Sequence, residues 1–362
     1  MNRISELRRQ MSAAGIDAVL LFPSSNWRYV LEFAPIANER LCALIVTQDK
    51  TAVVLPVFDE AEMRLVAGDA LIFGWSDQDG PDKAVAAAWR AVDAAALQTI
   101  AVDDGMPYLF TRVLLAHVSG ARLGLFSTSL PRYRLIKDQE EIQAIRQAAQ
   151  LIERTLAAVP GMLAAGMAEL ELERLVKADM LAHGAATLDY ALVQFGANSA
   201  IPHHVAGNRM LEPNTNVLLD IAVTYRDYFA DITRQVVLGD PGPDYRAAFD
   251  VVRAAQAAGV EAAGPGATVG DVDRACREVI VWGGYGDAFF TRTGHGLGLD
   301  VHEPPSVVAG NDLMLEPGMV ITVEPGVYLA GKFGVRIEDT IAITESGADR
   351  LSASERDLVV AT

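Results

Sequence analysis

Apolar residues recur at helical spacing over residues 3–14, with Ile4, Leu7, Met11 and Ala14 on one side, and Gly15 closes the run. The continuous apolar stretch DAVLLF (17–22) predicts a short buried strand. LCALIV (41–46) and TAVVLP (51–56) predict two more, joined by a turn at Gln48-Asp49-Lys50. The alanine-rich stretch 83–98 predicts a helix, QTIAVDD (98–104) a strand, 107–117 a helix and ARLGLF (121–126) a strand. Helix alternating with strand predicts a small α/β domain.

The pattern breaks near 127–137, where Ser127, Thr128, Ser129 and Pro131 punctuate the chain. The expected division is 1–132 and 133–362. Asp138 with Glu141 three residues on has the spacing of a capping box, and opens a long helix that should end before Pro160-Gly161. Further helices are expected at 168–183, 243–263 and 270–282. Strands are expected at 188–195, 216–224, 227–238, 319–328 and 333–343. This order is α+β rather than a regular parallel series.

A length of 362 residues exceeds one ordinary core and agrees with two domains. The apolar fraction of 51% supports a large interior, and 21% charged residues exclude a disordered chain. A formal net charge of -17 repels phosphate backbones and argues against nucleic acid as partner. The two cysteines, Cys42 and Cys276, form no CxxC pattern and read as isolated buried thiols of a reducing, cytoplasmic protein. The start, MNRISELRRQ, lacks the apolar core of a signal peptide. No apolar run approaches the ~18 residues that cross a bilayer.

Candidate chemistry lies late in the chain. VLLDIA, FADITR, GHGLG, TVEPG and RIED supply Asp220, Asp231, His295, Glu324 and Glu338. A single acid is usually solvated or salt-bridged. Asp220, however, follows the apolar run Val217-Leu218-Leu219, where a carboxylate is costly unless paired or metal-bound. Strand alternation puts Asp231 with Thr233 on one face and Arg336 with Glu338 on another. His295 sits between Gly294 and Gly296, where little bulk blocks an ion. Four carboxylates meeting at one point cannot all ionise without cations. Two divalent ions would balance them, which predicts a two-metal hydrolase. One imidazole with four carboxylates is a hard donor set that favours manganese, with zinc or cobalt as alternatives. The glycines of GHGLG lack the following Lys-Ser/Thr of a phosphate loop.

The segments NSAIPHH (198–204), VLLDIA, YFADITRQ, TGHGLGLDVHEPP, EPGMVITVEPGVY and GVRIEDT together resemble the pita-bread metallopeptidases. Within that group the match is to the Xaa-Pro peptidases, prolidase and aminopeptidase P, and it covers nearly the whole chain. It implies a C-terminal pita-bread domain behind a smaller, creatinase-like α/β domain. It implies that Asp231 and Glu338 bridge two metals, that Asp220 completes one, and that His295 and Glu324 complete the other. Glu324 would also serve as acid/base, His203 and His302 would bind the peptide and assist catalysis, and His204 would point elsewhere. Arg336 would either pair with a ligand carboxylate or touch substrate, and Tyr328 would hydrogen-bond into the site. The implied reaction is hydrolysis of the Xaa-Pro bond of short proline-containing peptides by a homodimer.

A dipeptidase must recognise the free carboxylate of proline, and arginine suits that task. Arg40 is the candidate, with Arg28 behind it. Xaa-Pro dipeptidase is the preferred reading. Aminopeptidase P acting on longer peptides is the alternative, and a metal-free creatinase-like hydrolase or binding protein a more remote one. The large N-terminal domain argues against a methionine aminopeptidase. Ala222, Thr291 and the Leu31-Glu32-Phe33 segment depart from the family pattern without touching a ligand.

Overall fold

The computed structural model describes residues 3–361, apart from the side chains at 96 and 187–189. Its internal contacts divide the chain into Met1–Arg134 and Leu135–Thr362.

The first unit runs α1 (Arg3–Ala14), β1 (Ala18–Leu21), α2 (Ser25–Leu31), β2 (Ala43–Thr47), β3 (Thr51–Pro56), α3 (Glu60–Val66), β4 (Leu71–Trp75), α4 (Asp82–Ala91), β5 (Thr99–Val102), α5 (Tyr108–Leu115), β6 (Arg122–Leu125) and α6 (Phe126–Ser129). Among the described residues six strands form a mixed sheet in the order β4-β3-β2-β1-β5-β6. β1 shows why its run is apolar without alternation. Val19 and Leu21 pack with Leu7, Met11 and Trp27, while Ala18 and Leu20 pack with Val85, Trp89 and Phe110. Both faces are covered, so both sets of side chains are apolar. α4 is shorter than its alanine content predicts. It stops at Ala91, and Asp93 adopts a left-handed conformation at φ 59.

The second unit opens on α7 (Gln139–Met162), and the capping box is formed as its spacing predicts. The Asp138 side chain accepts from the Glu140 and Glu141 amides at 2.9 Å, and Glu141 Oε2 accepts from the Asp138 amide at 2.8 Å. The helix does not stop before Pro160 but continues through it to Met162. Proline forfeits one backbone bond, which is a small loss in a final turn. There follow α8 (Glu169–Ala182), β7 (Thr187–Phe195), β8 (Thr215–Tyr225), β9 (Tyr228–Leu238), α9 (Pro243–Ala262) and α10 (Val269–Trp282). The chain closes with β10 (Gly294–Gly296), β11 (Glu303–Val307), β12 (Val320–Val323), β13 (Gly326–Leu329), β14 (Phe333–Arg336), β15 (Asp339–Thr344), β16 (Gly347–Arg350) and β17 (Val359–Ala361).

Among the described residues the strands of this unit form three sheets: β17-β9-β8-β7, β11-β10-β12-β15-β16 and the pair β13-β14. The hairpin between β8 and β9 turns at Arg226 and Asp227, with φ 49 and 69. Positive φ at both centres matches the right-handed twist of long paired strands. Val252, Phe249, Cys276, Ile321 and Ile341 join helices and strands in one buried cluster.

Two expected strands are each broken in two. The stretch 319–328 divides into β12 and β13 at Glu324-Pro325, and 333–343 divides into β14 and β15 at Ile337-Glu338. Pro325 cannot donate to a ladder, and β13 and β14 pair with each other as a separate ribbon. Glu324 and Glu338 therefore stand at breaks between strands, not on them, and strand alternation does not link Glu338 to Arg336. Cys42 and Cys276 are free and buried, as their isolation in sequence implies. No helix among the described residues is long and apolar enough to cross a membrane.

Candidate metal centre

The register of β8 and β9 sets the site. Asp220 lies opposite Thr233, and Asp231 lies opposite Ala222. Opposed residues share a face, as do residues two apart, so Asp220, Asp231 and Thr233 point the same way. β7 adds Leu192 opposite Asp220 on its other side, which brings Tyr190 and Gln194 to that face too.

The breaks deliver the remaining carboxylates to this face. Asp231, His295 and Glu338 offer ligand atoms that all lie within 4.8 Å of one another. Glu324 Oε1 is 3.3 Å from His295 Nε2. The Thr233 hydroxyl stands 2.7 Å from Glu338 Oε2 and 3.2 Å from Asp220 Oδ1. Arg336 donates from Nη2 to Asp220 Oδ2 at 2.5 Å and from Nε to Thr233 Oγ1 at 3.1 Å.

His295 Nδ1 faces Gly296 O at 3.0 Å, so its proton belongs there and the Nε2 lone pair faces the carboxylates. Burial pushes the imidazole down to about 3, which keeps it neutral. Its approaches to Glu324 and to Asp231 (4.0 Å) are therefore not ion pairs. Burial pushes Asp231 and Glu338 well above the ordinary carboxylate range, and the neighbouring carboxylates push the same way, against the opposing pull of Arg336. Burial raises Glu324 to about 7.

Asp231 Oδ1 and Glu338 Oε1 are buried with no hydrogen-bond partner among the described residues. Acceptors converging without donors are stable only when protons or a cation lie among them. The donor set, one neutral imidazole and several carboxylate oxygens, fits a hard divalent metal.

The other expected site residues fall into distinct positions. Arg336 is buried, ion-paired to Asp220, and donates from Nη1 to Tyr328 OH at 2.8 Å. Tyr328 thus bears on the cluster through that guanidinium, with its ring 5.5 Å from that of Phe290. The His302 ring meets His295 edge-on, centroids 4.3 Å apart. His203 is exposed on the loop after Gly196–Ala200, and among the described residues it joins none of the cluster's hydrogen bonds. Arg40 belongs to the first unit, where its guanidinium pairs bidentately with Asp77 at 3.0 Å and contacts Glu39 at 2.6 Å.

The glycines beside His295 have another purpose than open access. A Cβ on Gly294 would meet Thr322 O at 2.1 Å, and one on Gly296 would meet Pro304 O at 2.1 Å. Only glycine lets β10 lie so close to its neighbours.

Several participants carry no signal in the sequence. Tyr190 donates to Asp231 Oδ2 at 2.5 Å. Thr322 bridges the His295 amide (3.1 Å) and Glu324 Oε1 (3.2 Å). Arg234 binds the Glu338 carbonyl at 2.5 Å and Asp339 Oδ1 at 2.6 Å. A tyrosine or threonine within an apolar strand reads as packing until the register is known. Thr233 was legible as sharing a face with Asp231, but not as the hub of the site.

Residues 143–345 match the model of metallopeptidase family M24, and residues 3–136 match that of the creatinase/prolidase N-terminal domain. The chain is 36% identical over 352 residues to "Probable dipeptidase PepE" of Mycobacterium bovis, covering 96% of this chain and 92% of that one. It is 30% identical over 358 residues to an Xaa-Pro dipeptidase of Pyrococcus horikoshii, covering 99% and 98%. The crystal structure of a recombinant prolidase from Thermococcus sibiricus superposes with a TM-score of 0.93 at 32% identity, covering 99% and 98%.

Proposed function

The chain belongs to metallopeptidase family M24, and on that premise we propose that it is an Xaa-Pro dipeptidase that uses two divalent cations, manganese before zinc or cobalt. The observation that carries this reading is the meeting of a neutral His295 lone pair with Asp231, Glu338 and Glu324 where two buried carboxylate oxygens have no donor. Asp220, Asp231, His295, Glu324 and Glu338 would hold the ions, which when bound supply Lewis acidity and activate water.

The protein's own groups do the rest. Thr233, Tyr190 and Arg336 fix the carboxylate orientations. Glu324, with Oε1 3.3 Å from His295 Nε2, would take up the proton of the attacking water as the acid/base group. It carries a proton to the proline nitrogen as the amide breaks. That nitrogen bears no hydrogen in the substrate, so its protonation cannot be left to the leaving group itself. His302 stabilises charge developing on the carbonyl oxygen, a role supported by its ring lying edge-on to that of His295. His203 binds the peptide, and Tyr328 orients Arg336. Arg40 captures the proline carboxylate.

The dipeptidase reading is supported by relatives that carry that name across nearly their whole length. Cytoplasmic residence is supported by two buried free thiols, and the enzyme works as a homodimer. Turnover of Ala-Pro against Ala-Pro-Ala tests the assignment. Faster dipeptide cleavage supports it, and faster tripeptide cleavage makes the protein an aminopeptidase. Metal analysis of active protein should return about two ions per chain.

A further inference from the structure

The loop that carries His203 is tied down by a buried carboxylate outside the metal cluster. Glu169 opens α8 and is 0% exposed. Its Oε1 accepts from the Phe195 amide at 2.7 Å and from Asn198 Nδ2 at 2.9 Å. Its Oε2 accepts from the Gly207 amide at 3.1 Å and faces His204 Nε2 at 3.2 Å, which therefore carries the proton. One carboxylate thus grips both ends of the segment 195–207.

The sheet holds the middle. Gln194, also 0% exposed, donates from Nε2 to Pro202 O (3.2 Å) and His204 O (3.1 Å), the carbonyls on either side of His203. Ser199 Oγ accepts from the Gly334 amide at 2.7 Å and from Asn216 Nδ2 at 3.0 Å. A Cβ on Gly334 would stand 1.9 Å from Ser199 O, so this contact admits only glycine. Gln194 lies on the same face of β7 as Tyr190, which touches Asp231. The loop is therefore fastened over the face that bears the carboxylates. His204 is turned in toward Glu169, and the adjacent His203 is exposed.

We propose that Glu169 and His204 are a positioning pair that presents His203 to the peptide, an inference that rests on reading His203 as a substrate-binding residue. A buried carboxylate with four donors drawn from both ends of a loop fixes that loop in one conformation. Preset geometry spares the substrate the cost of ordering the loop on binding.

Glu169→Gln keeps the shape but sets an NH2 against one pair of donors, because an amide nitrogen cannot accept. In the manganese-loaded enzyme, hydrogen exchange of peptides within 195–207 should quicken, while those of residues 215–238 stay protected and metal content is unchanged. The kcat/KM for Ala-Pro should fall on the order of 10-fold, chiefly through KM. H203A should also lower it, and E169Q/H203A should be no worse than H203A alone. H204A, which trims a partly exposed ring, should act in the same direction and survives as a test if E169Q folds poorly. Strictly additive losses overturn the proposal. Unchanged loop exchange in both E169Q and H204A refutes the clamp whatever H203A does. A silent H203A refutes the reading of His203, and with it the pair's part in catalysis.

Discussion

Thr233→Val removes one hydroxyl from the centre of the site at nearly constant shape. Thr233 is 0% exposed on β9, and valine suits a strand equally well. The hydroxyl stands 2.7 Å from Glu338 Oε2, 3.2 Å from Asp220 Oδ1, and accepts from Arg336 Nε at 3.1 Å. The Arg336 bond is lost with or without metal, so it cancels from the affinity. The Glu338 bond does not cancel. The proposed metal binding needs Glu338 ionised, whereas burial beside Asp231 and Glu324 holds its pKa well up without metal. A hydrogen bond to a charged group contributes about 2 kcal/mol, so losing it should weaken metal binding about 30-fold. Manganese titration by calorimetry reads that change directly. Thermal unfolding of chelated and loaded protein should show the larger drop in the loaded form. A manganese dissociation constant within about threefold of the parent's would refute the argument. So would an equal loss of stability in both forms.

Metal-free protein should lose stability as pH rises. The Glu324 pKa is raised from its ordinary 4.5 to about 7, so the folded state binds its proton more tightly than the unfolded chain. The benefit is complete below about pH 4.5 and disappears as pH climbs through about 7, on the order of 3 kcal/mol from this group. Urea unfolding of chelated protein at pH 5 and pH 8 measures it, and a flat or rising profile contradicts the burial argument. Glu324→Gln should depress kcat by more than about 100-fold in a folded protein; near-parental turnover would remove Glu324 from acid/base work. Arg40→Ala should relax the preference for Ala-Pro over Ala-Pro-Ala, and an unchanged ratio would leave Arg40 as no more than the partner of Asp77.

Much of this protein could be read from its residues because the governing physics is local. Apolar periodicity places α1, β1 and the β8–β9 pair, and the Asp138 capping box announces α7. The five ligand candidates stand out because carboxylates beside apolar runs are costly wherever those runs are buried. Local rules also misplaced some boundaries. Helical propensity overran α4, where Asp93 turns left-handed, and proline did not end α7.

What local pattern could not supply was pairing between distant segments. Glu324 and Glu338 stand at breaks because β13 and β14 leave the larger sheet to pair with each other. Tyr190 and Arg234 meet the candidate ligands only through strand register and contacts between segments distant along the chain. The glycines flanking His295 answer to the closeness of β11 and β12. Glu169 and Gln194 reach the His203 loop from two different elements. The chemistry of each candidate ligand is thus inscribed in the chain, whereas the surrounding groups that orient it depend on tertiary packing, because a hydrogen bond is set by distances of a few tenths of an ångström that no spacing along the sequence encodes.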